Sequence, residues 1–158
     1  MPMLEQRIQQ QFFESADLLS QTAEALAKPI ADAAQALIGC ITAGGKVMLC
    51  GMGADSALAQ HGAALMIGRF ERERPGLAAI AVAGEAEVRA LGAPGDVLLA
   101  ITAATPGPAL VAAVVAALAK DMTVVALTGL DAGSVVERLS ESDVCITVPH
   151  ERAARILE

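Results

Sequence analysis

The sequence predicts an α/β fold in which a five-stranded parallel sheet is covered by helices on both faces. Five short runs are apolar at nearly every position rather than at alternate positions, which is typical of parallel strands buried on both sides. Segments with helical spacing separate these runs. The composition agrees, because 54% of the 158 residues are hydrophobic and only three, all Phe, are aromatic. The prediction is therefore a three-layer αβα sandwich.

Two helices are expected to precede this sheet. Apolar residues recur at helical spacing from Leu4 to Ala27, with polar residues on the opposite face. A second helix is expected to begin at Pro29, since proline is favoured in the first turn, and to end at a pair of glycines. No linker or internal repeat is visible. We therefore expect one domain over residues 1–158, with a helical segment at 1–44 and an α/β core at 45–158.

The core is expected to alternate strands with helices. A helical stretch follows the first strand and continues to about Arg69, another helix is expected at Gly107–Lys120, and a short one near Ser134–Ser140. The predicted strands are Lys46–Cys50, Ala78–Ala83, Asp96–Ile101, Thr123–Thr128 and Asp143–Val148.

Charge and cysteine usage exclude several classes of function. Eleven basic and eighteen acidic residues give a formal charge of −7, which opposes direct binding to a nucleic-acid backbone. The three cysteines, Cys40, Cys50 and Cys145, form no CxxC pair and indicate buried thiols in a reducing compartment. No apolar signal segment is visible at the N-terminus, so a cytoplasmic location is expected.

One uncharged stretch, Val97–Ala119, is about long enough to span a bilayer. The sequence Thr105-Pro-Gly-Pro108 interrupts it, because proline and glycine break a helix. The stretch is therefore predicted to be a buried strand followed by a helix, and no membrane span is expected.

The candidate binding site lies where predicted strands end and helices begin, since ligands of open parallel sheets bind at that edge. The first strand is followed by Gly51, Met52, Gly53, Ala54, Asp55 and Ser56. The glycines allow a sharp turn, and Ser56 could cap the next helix while offering a hydroxyl beside free N–H groups. A tight strand-to-helix turn with no ligand explains the same glycines equally well.

Several segments resemble the sugar isomerase (SIS) domain family. They are Lys46-Val-Met-Leu-Cys-Gly-Met-Gly-Ala-Asp-Ser56, Ala59-Gln-His61, Arg69-Phe-Glu-Arg-Glu-Arg-Pro-Gly76, Gly95–Ile101, Asp121–Gly129 and Val148–Ile156. Within that family, the sequence is most similar to the subgroup of phosphoheptose isomerases and the non-enzymatic DnaA initiator-associating proteins. The resemblance implies a flavodoxin-like SIS fold, a phosphosugar-type pocket and a symmetric homo-oligomer.

Both loops that would hold the phosphosugar depart from the family pattern. The first reads Gly-Asn-Gly-x-Ser in the family, whereas this chain has Met52 in place of Asn and Asp55 in place of Ser. A carboxylate facing a phosphate dianion adds like-charge repulsion. The second loop is rich in Ser and Thr in the family, and here Thr102 and Thr105 keep hydroxyls. The resemblance thus implies a degenerate pocket formed by Gly51, Met52, Gly53, Asp55, Ser56, Thr102 and Thr105.

The catalytic groups of the family are also missing from the matching positions. The base is a Glu on the helix after the first loop, but no carboxylate lies between Asp55 and Glu71, and Ala64 and Leu65 fill the expected stretch. The acid is a His on a helix beyond the matched segments, and we expect that helix to be absent. The segment that helps to wall the pocket between strands two and three is expected to be missing as well. We predict no catalytic residue and no cofactor.

The remaining candidates concern metal and oligomer contacts. His61 matches a metal-binding histidine of some phosphoheptose isomerases, but with no second ligand on its helix face we predict no metal site and favour a subunit contact. Phe12 and Phe13 on the N-terminal helix are expected to form either a lid on the core or an oligomer contact. His150 is expected to cap the last segment.

Two functions remain open. The first is a non-catalytic SIS scaffold like the initiator-associating proteins, forming a tetramer or dimer and binding the replication initiator DnaA. The second is sedoheptulose 7-phosphate isomerisation, with a weak phosphosugar or carbohydrate-derivative sensor as an intermediate possibility.

Overall fold

The computed structural model describes residues 2–153 and has the predicted α/β class. Its five strands form one parallel sheet in the order β2-β1-β3-β4-β5. Five helices accompany them within the described residues. The elements are α1 (Pro2–Thr42), β1 (Val47–Gly51), α2 (Asp55–Ile67), β2 (Ala79–Val82), α3 (Glu85–Leu91), β3 (Val97–Thr102), α4 (Pro108–Leu118), β4 (Thr123–Thr128), α5 (Gly133–Val136) and β5 (Val144–Thr147).

The helices cover both faces of the sheet. Alternate side chains of β1 point to opposite faces, so that Met48 packs with α3 and α4 while Leu49 packs with α2. α1 lies on the same face as α2 and contacts β1, β3 and β5. Its residues Leu26, Ala33 and Cys40 belong to a buried cluster that also contains side chains of β3, β4 and β5. The three-layer sandwich and the five parallel strands are therefore confirmed.

The prediction of two N-terminal helices is wrong, because α1 is one continuous helix of 41 residues with Pro29 inside it. Proline removes one helical hydrogen bond and crowds the preceding turn, at a cost of about 3 kcal/mol in a helix interior. Here Leu26 and Ala33, on either side of Pro29, are both buried in the same cluster against the sheet. Burial of two such side chains offsets that cost, so tertiary packing overrides the local signal.

A buried ion pair lies at the amino end of the sheet. The Asp96 carboxylate, 3% exposed, accepts hydrogen bonds from the backbone N–H groups of Lys46 (2.9 Å) and Ala93 (2.9 Å) and from the Lys46 ammonium (2.5 Å). Burial alone would raise the pKa of Asp96, but these three donors outweigh it and lower the pKa. The contact ties the start of β1 to the start of β3.

The charged run after α2 has a structural role. The guanidinium of Arg74 donates to the carbonyl oxygens of Leu65 (2.7 Å) and Met66 (2.8 Å), which belong to the last turn of α2. These carbonyls have no helical partner of their own, so Arg74 caps the helix. Arg69 and Glu73 form an exposed ion pair nearby.

Of the predicted thiols, Cys40 and Cys50 are buried and Cys145 is half-buried, and all three are free. Burial raises the pKa of Cys40, with a smaller contribution from the charge of Asp96. Burial also raises the pKa of Cys50 to about 11, with a further contribution from the charge of Glu87.

None of the helices formed by residues 2–153 combines the length and apolar character that a bilayer crossing requires.

Candidate functional site

The sheet order places the candidate site between β1 and β3. The chain runs from β1 outward to β2 and then returns to the other side of β1 to form β3. In doubly wound sheets this reversal opens a crevice at the carboxyl ends of the two strands, and ligands bind there. The loops predicted to form the pocket follow these same two strands.

The turn after β1 requires both of its glycines. A Cβ on Gly51 would lie 2.3 Å from the Asp55 carbonyl oxygen, so only glycine allows α2 to begin directly over the end of β1. Gly53 has a φ of 58°, in the left-handed region that favours glycine. Met52, between them, is half-buried and packs against the core.

Asp55 links the two loops across the crevice. It is the first residue of α2, and its Oδ2 accepts a hydrogen bond from the backbone N–H of Ala103, just after β3, at 3.1 Å. This N–H group, which faces the end of the first loop, therefore already has an acceptor within the protein.

The hydroxyl groups predicted to bind a phosphate donate to other protein atoms. Ser56 Oγ donates to the Gly53 carbonyl oxygen at 2.7 Å, and Thr102 Oγ1 donates to the Ala104 carbonyl oxygen at 2.8 Å. Thr105 Oγ1 donates to Asp131 Oδ2 at 2.6 Å. The prediction that Ser56 caps α2 is wrong, because Ala54 is the N-cap and makes no side-chain cap bond.

An open cavity of about 520 Å³ lies beside this crevice, between β1, α2 and β2. Four of the predicted pocket residues line it, namely Gly51, Met52, Gly53 and Ser56. Asp55, Thr102 and Thr105 are not part of its lining, so the predicted pocket residues are divided between this cavity and the crevice.

The cavity also contains two polar residues that the sequence reasoning missed, Gln60 on α2 and Glu87 on α3. Glu87 Oε2 accepts the backbone N–H of Ala83 at 2.7 Å, which fixes the side chain at the start of α3. The sheet order is the signal that could have identified Glu87, because β2 neighbours β1 and the segments after these two strands therefore lie side by side. Asp131, which follows β4 and accepts the Thr105 hydroxyl, was missed for the same reason.

The other candidates lie on the surface. Phe12 and Phe13 are 73% and 64% exposed, so the structure excludes a lid on the core. His61 is exposed on α2, and within residues 2–153 no three His, Cys, Asp or Glu side chains gather as metal ligands. His150 Nδ1 accepts the backbone N–H of Arg152 at 2.9 Å.

The SIS-domain family model matches residues 11–129. This chain belongs to the SIS-domain family. The sequence is similar to a phosphoheptose isomerase of Methylibium petroleiphilum, with 57% identity over 176 aligned positions that cover 100% of this chain and 88% of the relative. The alignment is longer than the 158 residues of this SIS protein, so the relative has internal residues that this chain lacks.

Another relative is the DnaA initiator-associating protein DiaA of Klebsiella pneumoniae, 44% identical over 170 positions that cover 96% of this SIS chain and 87% of the relative. Among solved structures, phosphoheptose isomerase GmhA from Neisseria gonorrhoeae superimposes with a TM-score of 0.88 at 35% identity, covering 98% of this chain and 90% of that one. The predicted resemblance to this SIS subgroup is therefore confirmed.

Proposed function

We propose that this chain is a non-catalytic SIS-domain protein that acts through its assembled surface, because its own side chains close the phosphosugar crevice. The hydrogen bond between Asp55 and Ala103 carries the proposal. A phosphate would have to displace the Asp55 carboxylate from the Ala103 N–H and then remain close to its negative charge. Both steps oppose binding.

The second support is that α2 has no carboxylate at the position where the resemblance places the catalytic base. Isomerisation moves a proton between adjacent carbons and needs a base within hydrogen-bond reach of substrate. Where the resemblance places that base on α2, the chain has Ala64 and Leu65. Ser56, Thr102 and Thr105 hydrogen-bond to other protein groups.

The third support concerns assembly. Every residue from 3 to 13 of α1 is exposed, and this arm carries Leu4, Ile8, Phe12 and Phe13 at 50–73% exposure. Large apolar side chains exposed together on one short segment favour association. We infer a homo-oligomer, a tetramer or dimer, in which this arm contacts another copy, and His61 on α2 remains a second contact candidate.

For the partner, we infer the replication initiator DnaA. One relative at 44% identity is a DnaA initiator-associating protein. An oligomer presents several copies of one surface, which raises the local concentration of any partner that it binds. The formal charge of −7 suits a basic surface on that partner.

Co-purification with DnaA tests this proposal. The wild-type protein is expected to retain DnaA at low salt and to lose part of it at high salt, since charge attraction is screened. Phe12→Asp is expected to reduce both the sedimentation coefficient and DnaA retention, whereas Gln10→Asp, an exposed polar position on the same arm, changes neither. A monomeric wild-type protein that retains no DnaA would contradict the proposal.

A second candidate function is phosphoheptose isomerisation, as the names of several relatives suggest. Glu87 favours it, because it places a carboxylate in the cavity beside the crevice. In that case sedoheptulose 7-phosphate would be converted to product, and Glu87→Gln would abolish conversion while leaving the fold intact. We expect no conversion by either protein.

A further inference from the structure

The open cavity beside the crevice has the size of a small-molecule site and no assigned ligand. Its volume of about 520 Å³ accommodates a monosaccharide-sized molecule. It lies where β2 is followed almost directly by α3, through Ala83 and Gly84. More than half of its lining residues belong to the end of β1, the loop after it and α2, which also border the crevice.

The polar groups of the cavity suit a ligand that donates hydrogen bonds. They are the Ser56 hydroxyl, the Gln60 amide and the Glu87 carboxylate, and the remaining lining residues are apolar or glycine. No lysine or arginine is among the described residues that line it. An anionic ligand would therefore find a carboxylate and no cation.

The charge of Glu87 also acts on a neighbouring thiol at this edge of the sheet. Cys50 lies near the end of β1, fully buried, and its pKa is raised to about 11 by burial first and by the charge of Glu87 second.

The orientation of Glu87 is fixed by the protein. Its Oε2 accepts the Ala83 N–H at 2.7 Å, which leaves the carboxylate able to accept further hydrogen bonds, since an ionised carboxyl has about four acceptor positions. A positioned carboxylate forms short, charge-assisted hydrogen bonds with an ammonium group.

We propose that this cavity binds a small polar molecule carrying a protonated amine, with the ammonium against Glu87 and neighbouring hydroxyls against Ser56 and Gln60. An amino sugar without a phosphate has this chemistry and fits the volume. The proposal rests on the exclusion of phosphates proposed above.

Titrations followed by NMR test the proposal with three probes on one sugar ring, namely glucosamine, N-acetylglucosamine and glucose 6-phosphate, below the pKa of the glucosamine amine. Wild-type protein is expected to bind glucosamine at least about tenfold more tightly than the acetylated sugar, because acetylation removes the charge from the nitrogen. Perturbed signals are expected from Gln60 and from the start of α3.

Two matched variants isolate the carboxylate. Glu87→Gln keeps an oxygen that can accept the Ala83 N–H, so the fold is expected to persist, but the preference for glucosamine should fall to about the level of the neutral sugar. Glu141→Gln removes the same charge from an exposed position near β5 and should bind glucosamine as the wild type does.

Each other outcome overturns the inference. Equal loss in both variants would mean that only net charge matters, and an unchanged preference in Glu87→Gln would mean that Glu87 does not contact the amine. If none of the three probes bound, the proposed amine site in the cavity would be refuted, and the proposed scaffold function would remain intact. Preferential binding of glucose 6-phosphate would refute both.

Discussion

Replacement of Asp55 by serine is expected to create a phosphate site that the wild-type protein lacks. The substitution removes the carboxylate that accepts the Ala103 N–H at 3.1 Å and leaves a short hydroxyl at the start of α2. A phosphate that takes the place of Oδ2 could then use this N–H group. In the wild type the same phosphate would lie close to the displaced carboxylate.

The size of the effect follows from Coulomb's law. Unit charges about 4 Å apart repel by about 1 kcal/mol in bulk water, so a phosphate dianion and Asp55 would repel by about 2 kcal/mol even at the dielectric constant of water. That energy corresponds to about a thirtyfold change in affinity. Loss of the charge-assisted hydrogen bond should lower the free energy of unfolding of the variant by about 1.5 kcal/mol.

Thermal unfolding at constant ionic strength, with phosphate replacing chloride, measures both effects. Millimolar phosphate should raise the Tm of Asp55→Ser above that variant's own value in chloride and leave the wild type unchanged. Asp32→Ser, at an exposed carboxylate on α1, is the control and should behave as wild type. An equal response of all three proteins to phosphate would refute the reasoning.

Four further predictions concern the stability of the fold and the accessibility of its thiols. Asp96→Ala removes the acceptor of the Lys46 and Ala93 backbone N–H groups and the partner of the Lys46 ammonium. It should lower the free energy of unfolding in urea by about 3 kcal/mol, against less than about 0.5 kcal/mol for Asp32→Ala. The pKa of Asp96 in the folded protein is lowered from 3.8, so the stabilisation by its carboxylate is complete above that pH and is lost as the pH falls through the folded pKa. The free energy of unfolding of the wild type should therefore decline more steeply below pH 3.8 than that of Asp96→Ala. Equal slopes would contradict this. Arg74→Ala should lower the free energy of unfolding by about 1 kcal/mol, because the C-terminal cap of α2 is lost. Arg72 is exposed nearby, and Arg72→Ala should have little effect. Equal losses of stability in the two variants would argue against capping by Arg74. In alkylation at pH 8 the half-buried Cys145 should react first and the buried Cys50 only on unfolding, so rapid modification of Cys50, read by peptide mass spectrometry, would contradict the structure.

The sheet could be predicted from the sequence because burial on both faces leaves apolar runs that few other structures produce. The predicted strand at 123–128 has the observed bounds, and each of the other four differs by one residue at both ends. The continuity of α1 could not be predicted, since Pro29 signals a helix start locally. Only the packing of Leu26 and Ala33 on the same sheet cluster reveals that the helix continues.

The candidate site was predictable in part. The position of the Gly51–Ser56 loop followed from the strand before it, and Asp55 was recognised as an unsuitable residue for a phosphate site. Its hydrogen bond to Ala103 spans 48 residues and depends on the sheet order, which the sequence reasoning did not establish. Glu87 and Asp131 were missed for the same reason, because the sheet order decides which of the segments that follow β2 and β4 lie beside the site.

Titration of the wild-type protein with sedoheptulose 7-phosphate, with the solution then analysed for product, tests most directly whether the crevice is closed. The contact between Asp55 and Ala103 leads us to expect neither a saturable binding signal at millimolar ligand nor any product. Saturable binding accompanied by conversion of the sugar would contradict the account.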